Sequence, residues 1–232
     1  MSVPGSARVG RPRVGGSGSG TATPREEILE AAAALFAERG YAATSTRAIA
    51  ERVGMRQASL YHHFAGKDEL LLELLETSVR PSLDYLDAVE ATIAGGADPA
   101  AALYALAVID VGTLLAVPHN IGALYLAPEV QDPRFTSFRA QREQLRAAYE
   151  RLVARVDPAA DASFLGACCM HLVEMVIPLR RDGEPGPRTA ESIAAACLRV
   201  AGRADAVPAG EGLLQHVLAV PGQDVGDGRG LN

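Results

Sequence analysis

Residues Gly40 to Lys67, GYAATSTRAIAERVGMRQASLYHHFAGK, decide how this chain is read, because they hold two short helices around a tight turn. Ser45 or Thr46 can accept hydrogen bonds from the amides left open at a helix start. Ile49, Ala50 and Val53 then recur on one apolar stripe. Gly54 takes up at least cost the left-handed conformation that reverses a chain after a helix, and Met55 can fill the corner. A second helix is predicted from about Gln57 to Phe64, with Leu60 and Phe64 pointing inward together. His62 lies opposite them beside Ala58 and Ser59, and Gln57, Tyr61 and His63 flank it. Hydroxyls, an amide and imidazoles are groups that bond phosphate oxygens and base edges in a major groove. No acidic residue interrupts this face, and the layout suits a helix-turn-helix reader of DNA.

Gly40, Tyr41, Thr44, Arg47, Ile49, Ala50, Val53, Gly54, Leu60, Tyr61, Phe64 and Lys67 together resemble the amino-terminal pattern of the TetR family. The resemblance runs without gaps from about Ile28 to Leu71 and takes in the preceding helix, ILEAAAALFAERG. Arg56 stands where the family usually has a capping Ser or Thr, and His63 where a second aromatic is common. On this resemblance the candidate DNA contacts are Thr44, Ser45, Thr46, Arg47, Gln57, Ala58, Ser59, Tyr61, His62, His63 and Lys67. Lys67, the sole lysine, is implied to contact a DNA phosphate at the start of the fourth helix.

With 232 residues and 48% hydrophobic content the chain can bury one or two cores and leaves a large body beyond the reader. Its net charge of −6 argues against a nucleic-acid partner, yet the charge is unevenly placed. Between Gly40 and Lys67 the basic groups Arg47, Arg52, Arg56 and Lys67 face Glu51 alone. Cys168, Cys169 and Cys197 form no disulfide framework, which fits a reducing cytosol, and no secretory signal pattern is present. The apolar run Ala100 to Val117 falls short of the roughly 20 residues of a membrane span. It also carries Asp110, which costs about 2.5–3.5 kcal/mol on insertion scales, so a buried helix of a cytoplasmic protein is expected.

Residues 1–22, rich in Gly, Ser and Pro with Arg8, Arg11 and Arg13, read as a disordered basic arm. Gly10 to Arg13 resembles the extended Arg-Pro hooks that enter a minor groove, set against a plain solvated leader. Folding is expected from Thr23 and Pro24, with Glu26 completing a capping box. Asp98, Asp132 and Asp157, each followed by proline, mark further starts, and Gly95, Pro118 and Gly183 mark stops. The predicted helices cover 24–39, 46–53, 57–64, 67–94, 99–117, 120–130, 133–156, 158–181 and 187–204. The fold class is therefore all-α: a three-helix DNA-binding domain over 23–67 and, joined by a long helix of about 40 Å, a helical effector-binding and dimerisation domain over 68–205. Residues 206–232 read as a flexible tail in which Leu213 to Val220 could dock.

A lone helix-turn-helix module gains affinity by pairing across two half-sites, so a homodimer is expected. Phe164, Cys168, Leu172, Val176, Ile193, Cys197, Leu198 and Ala201 are its candidate interface, with two merely internal helices as the alternative. The resemblance implies a four-helix interface and a small-molecule pocket whose occupation lowers operator affinity. Candidate pocket residues are Tyr104, His119, Asn120, Tyr125, Phe138, His171 and Glu174, with Asp110 and Phe135 as further polar or aromatic groups among apolar ones. The 5% aromatic content favours an aliphatic cavity and a lipophilic effector. Cys168, His171 and Glu174 rotate progressively around one helix and converge poorly on an ion, so no metal and no cofactor are expected. Nucleophile-elbow, phosphate-loop and Cys-x-x-Cys motifs are missing, which leaves no enzyme reading. The expected function is a DNA-binding transcriptional regulator, a repressor released by its effector. The alternatives are an activating or ligand-independent regulator of the same fold, or a helical interaction module.

Overall fold

A computed structural model of the chain describes residues 22–219. Arg8, Arg11 and Arg13 of the basic arm, and residues 220–232 of the tail, lie outside the described residues. Among the described residues every regular element is helical. Three helices build the reader: α1 (Pro24–Arg39), α2 (Thr46–Val53) and α3 (Gln57–Leu60). The body follows as α4 (Lys67–Thr77), α5 (Arg80–Asp84), α6 (Leu86–Ala94), α7 (Pro99–Ala116), α8 (Thr136–Val156), α9 (Ala162–Glu174), α10 (Val176–Asp182), α11 (Thr189–Val200) and α12 (Val207–Ala219).

The starts follow the side chains that cap them. Thr23 accepts from the Glu26 amide at 3.3 Å while its own amide donates to the Glu26 carboxylate at 2.7 Å. Ser45 caps α2, accepting from the Ala48 amide at 3.1 Å, and Gly54 ends that helix at φ 79°, in the left-handed region. Asp98 opens α7 through the Ala100 amide. Asp157 differs from expectation: it closes a local turn on the Ala159 amide, and α9 begins only after Asp161, which accepts from the Phe164 amide.

Prolines break two helices expected to be continuous. The 28-residue lever over 67–94 is three segments: Pro81 donates no amide hydrogen and its ring crowds the carbonyl four residues back, at Thr77, where α4 stops, and a turn at Tyr85 then separates α5 from α6. Pro178 does the same to Glu174, splitting the expected helix over 158–181 into α9 and α10. The helix expected over 120–130 is replaced by 3-10 turns at Pro118–Leu124, Pro128–Gln131 and Pro133–Phe135, with His119 and Asn120 at positive φ.

At the centre of the body runs α7, its residues from Ala100 to Ala107 all buried, covered by α8, α9, α11 and α12. Contrary to the expectation that this run is too short, α7 is long and apolar enough to cross a membrane, as is the stretch Ala162–Asp182, but 72% of α7 is buried inside the fold. The tail reading needs correction here, since residues 207–219 form α12 and pack on α7. Gly210 makes this possible: a Cβ there would sit 2.6 Å from the Tyr104 side chain. Gly166 likewise lets α9 lie against the α8 backbone at Glu150.

Candidate DNA interface and the cavity behind it

The reader surrounds a small core in which Ile28, Phe36, Ile49, Leu60 and Phe64 are almost fully buried. With Leu60 and Phe64 anchored inward, the opposite side of α3 faces solvent, and Gln57, Ala58, Tyr61, His62 and His63 are all exposed. The helix expected to reach Phe64 ends at Leu60, and tighter turns follow: the His62 amide donates to the Ser59 carbonyl and the His63 amide to Leu60. Arg56 supplies no side-chain cap, as its departure from Ser or Thr requires.

Thr46, Gln57 and Tyr61 form one polar cluster. The Gln57 amide donates to Thr46 Oγ1 at 2.9 Å, and the Thr46 and Tyr61 hydroxyls are 3.2 Å apart. This fixes the relative pose of α2 and α3 at the surface that meets solvent. Arg47 pairs with Glu51 at 2.8 Å, both well exposed. Thr44 is no part of this surface: it is buried, and its hydroxyl donates to the carbonyls of Leu35 and Gly40, tying the α1–α2 turn. Lys67 is half-buried, with Nζ 4.1 Å from the Tyr41 ring centroid and donating to the Tyr41 carbonyl at 2.8 Å. Burial lowers its pKa, and two of its three donors stay free of this bond.

Ionic contacts clasp the reader to the body. Arg25 of α1 pairs with Glu73 of α4, its guanidinium 4.4 Å from the Phe64 ring centroid. His119 meets Glu30 at 2.7 Å. Asp68, in the first turn of α4, accepts from the Tyr41 hydroxyl and pairs with Arg134. Arg134 also grips Asp132 through two nitrogens, at 2.9 and 3.0 Å. The carbonyls of Val130 and Asp132 in turn accept from Arg139 of α8 at 2.6 and 2.9 Å. A chain of polar contacts thus runs from Arg139 to the reader's edge at Tyr41 and Lys67.

Arg139 lines a cavity of about 260 Å³ between α8, α9 and the 3-10 turns. Tyr125, Phe138 and His171 lie on its wall, and Glu174 lies beneath it in an adjoining small void, beside Asp110. Tyr104, His119 and Asn120 do not belong to it. Tyr104 is packed under Gly210, His119 faces α1, and Asn120 donates to the Ile177 carbonyl at 2.9 Å. Phe135 is core. Sequence reasoning missed Arg139, Arg142 and Arg146, whose spacing of three and four on α8 was the available signal.

Under the cavity the buried Asp110 carboxylate accepts from Ser82 at 2.8 Å and from Tyr149 at 3.0 Å. Burial dominates and pushes its pKa up to about 6, against the two hydroxyls, which lower it. Tyr125 shares a 2.7 Å hydrogen bond with Ser78 and is likewise pushed up by burial. Arg142 pairs with Glu174 and lies 4.9 Å from the Tyr125 ring centroid.

Of the eight residues expected on a pairing face, four are buried within the chain itself. Val176 of α10 is buried against α7 and α9, and Cys197, Leu198 and Ala201 point into the chain's own core because α11 leans on the same two helices. Phe164, 64% exposed, is open to solvent, as are Met175 and Leu179, and Cys168, Leu172 and Ile193 are part-exposed beside them.

Residues 28–74 match the family described as bacterial regulatory proteins, tetR family. The chain is similar to the crystal structure of Mycobacterium smegmatis AmtR, with 40% identity and a TM-score of 0.76 over 86% of this chain and 97% of that one. It is also similar to the ketosteroid transcriptional regulator KstR2 of Mycobacterium tuberculosis, with 26% identity and a TM-score of 0.65 over 79% of this chain and 95% of that one. In sequence, 62 residues are 55% identical to the transcriptional repressor KstR2 of Mycobacterium tuberculosis, covering 27% of this chain and 29% of the relative. Over 107 residues the KstR2 repressor of Rhodococcus jostii is 37% identical, covering 46% and 50% respectively. The chain therefore spans from under a third to half of the length of the curated relatives it matches. It belongs to the TetR family of helix-turn-helix transcriptional regulators.

Proposed function

We propose that the protein is a homodimeric repressor acting in the cytoplasm, which holds an operator through two copies of α3 and lets go when a small molecule enters the cavity beside α8. The observation that carries the reading is the solvent-facing side of α3 and the turn after it, where Gln57, Tyr61, His62 and His63 are exposed with no acid among them while Leu60 and Phe64 anchor the segment from behind. The KstR2 relatives matched over the reader are named repressors, which supports the sign of regulation, against one relative, FasR of Mycolicibacterium smegmatis, that is named an activator. Pairing is supported by the apolar face of Phe164, Met175 and Leu179, large side chains that a lone copy leaves in water.

The coupling runs through short segments. With the fourth helix only 11 residues long, the cavity reaches the reader by the Val130–Arg134 segment and the Arg134–Asp68 pair. Displacing that segment frees Asp68 and Tyr41, and with them Lys67, from their present pose, which shifts the balance between two arrangements of the reader.

Selection from random duplex DNA tests the reading. The full chain should enrich a site with two related half-sites spaced by about one helical turn or a multiple. Enrichment of no sequence, or of sites that Tyr61→Phe and His62→Ala bind unchanged, refutes it.

A further inference from the structure

We infer that the cavity beside α8 accepts a small organic anion, a carboxylate on a short apolar body, and that Arg139 and Arg142 hold its charge. This rests on reading the cavity as the effector site. Arg139, Arg142 and Arg146 share one side of α8 and line one wall. Their existing ties differ. Arg146 is neutralised twice, by Glu143 at 2.6 Å and Glu150 at 3.0 Å. Arg142 is tied to Glu174 through one nitrogen, while its Nε is a buried donor with no acceptor among the described residues. Arg139 meets no carboxylate among the described residues; its donors end on the carbonyls of Val130 and Asp132 and on Thr136 Oγ1.

A guanidinium bonded only to neutral oxygens keeps its whole charge, and its planar fork matches a carboxylate with two parallel hydrogen bonds. Within the wall of the cavity the three guanidinium groups face a single carboxylate, Glu143, which Arg146 already holds. The two acids beneath are occupied as well, Asp110 by Ser82 and Tyr149, and Glu174 by Arg142 and His171. Tyr125, Leu126, Val130, Phe138, Ala167 and Met170 supply the apolar side. A volume of about 260 Å³ corresponds to roughly nine water-sized groups at ~30 Å³ each, which sets the scale of the ligand.

Such an anion does two things at once. Its apolar body covers the ring faces of Tyr125 and Phe138, and its carboxylate competes with the Val130 and Asp132 carbonyls for Arg139. Losing Arg139 loosens the segment whose Arg134 holds Asp68 at the reader.

The chain has no tryptophan, so Leu126→Trp at the exposed rim provides a single tryptophan that can be excited apart from the six tyrosines. The full chain with this substitution is titrated with butanoate, hexanoate and octanoate and with the matched primary amides. The acids should saturate at concentrations about tenfold or more below those of the amides. Arg139→Gln and Arg142→Gln, each in the Leu126→Trp background and checked for native helix content by circular dichroism, should cut this preference to about twofold. Arg139→Lys, which keeps the charge but loses the fork, should retain part of it. Amides binding as tightly as acids, a preference that survives both glutamine substitutions, or no saturation by either series up to about 10 mM overturns the inference. Release of selected DNA is read separately. A neutral compound that perturbs the fluorophore and frees DNA, where acids do neither, removes the anion and leaves the effector reading. An acid that fills the cavity while the DNA complex persists removes the effector reading and leaves the anion site.

Discussion

Replacing Asp110 by asparagine should make the protein more stable, and the gain should depend on pH in a set direction. The carboxyl lies fully buried beneath the cavity, with a pKa raised from 3.8 to about 6, chiefly by burial. Each tenfold change in proton affinity is worth about 1.4 kcal/mol, so its ionisation costs the folded state about 3 kcal/mol once both states are charged. Because the folded pKa is raised, the stability that goes with the protonated carboxyl is complete below pH 3.8 and is lost as pH climbs to about 6. Asparagine keeps the shape and carries no charge, but it offers Ser82 and Tyr149 one acceptor in place of two, which returns about 1 kcal/mol. The net gain is about 1–3 kcal/mol at pH 8, or roughly 2–10 °C in Tm for a chain of this size. Urea unfolding followed by circular dichroism at pH 4, 6 and 8, at one protein concentration, measures it. The variant's advantage should grow from pH 4 to 6 and then level off. An Asp110→Asn variant no more stable than the parent at pH 8, or a difference flat from pH 4 to 8, would falsify the burial argument. Asp110→Ala should be less stable than Asp110→Asn at every pH, since it leaves two buried hydroxyls without an acceptor at about 1–3 kcal/mol each.

On α12 two glycines should behave oppositely. Gly210→Ala drives a Cβ into Tyr104 and should destabilise by about 1–3 kcal/mol, whereas Gly212→Ala, with open space, should stabilise by up to about 1 kcal/mol in thermal unfolding. In DNA titrations across salt concentrations, Lys67→Ala should weaken binding to all sequences and lower the salt slope by about one, while His62→Ala should change base preference. Phe164→Glu with Met175→Glu should shift sedimentation to a single copy and leave helix content intact; an unchanged dimer places the partner elsewhere. Arg134→Gln should raise hydrogen exchange across residues 65–71, by no more than about fivefold because an exposed pair contributes at most about 1 kcal/mol. Exchange unchanged there would break the proposed link between cavity and reader.

The reader was legible because its determinants are local. Thr23 with Glu26, Ser45, Gly54, and the Leu60–Phe64 pair each act within a few residues, and each does in the fold what its position suggests. Pro81 and Pro178 were readable breaks that long apolar patterns outweighed. Other features depend on partners far along the chain. Thr44 looks like a surface threonine until the Leu35 and Gly40 carbonyls close on it, and Cys197 lies on an apolar stripe whose side is chosen only by α7 and α9. Gly210 and Gly212 read as loop composition, yet Gly210 is a place where one helix must touch an aromatic ring on another. The arginines of α8 were missed because a charged helical face usually stays solvated, and nothing local marks the hollow that Tyr125 and Met170 help to form opposite them.

The order in which α7 and α12 are made has a cost for the cell. The body's most buried helix leaves the ribosome some 90 residues ahead of the segment that covers one of its sides. At about 5–20 residues per second, α7 stays partly bare for roughly 5–20 s of every synthesis. Nascent chains in that interval are candidates for chaperone capture and clumping. A message cut short before Val207 should therefore yield insoluble material, and not a binding-competent fragment able to poison the wild-type pool.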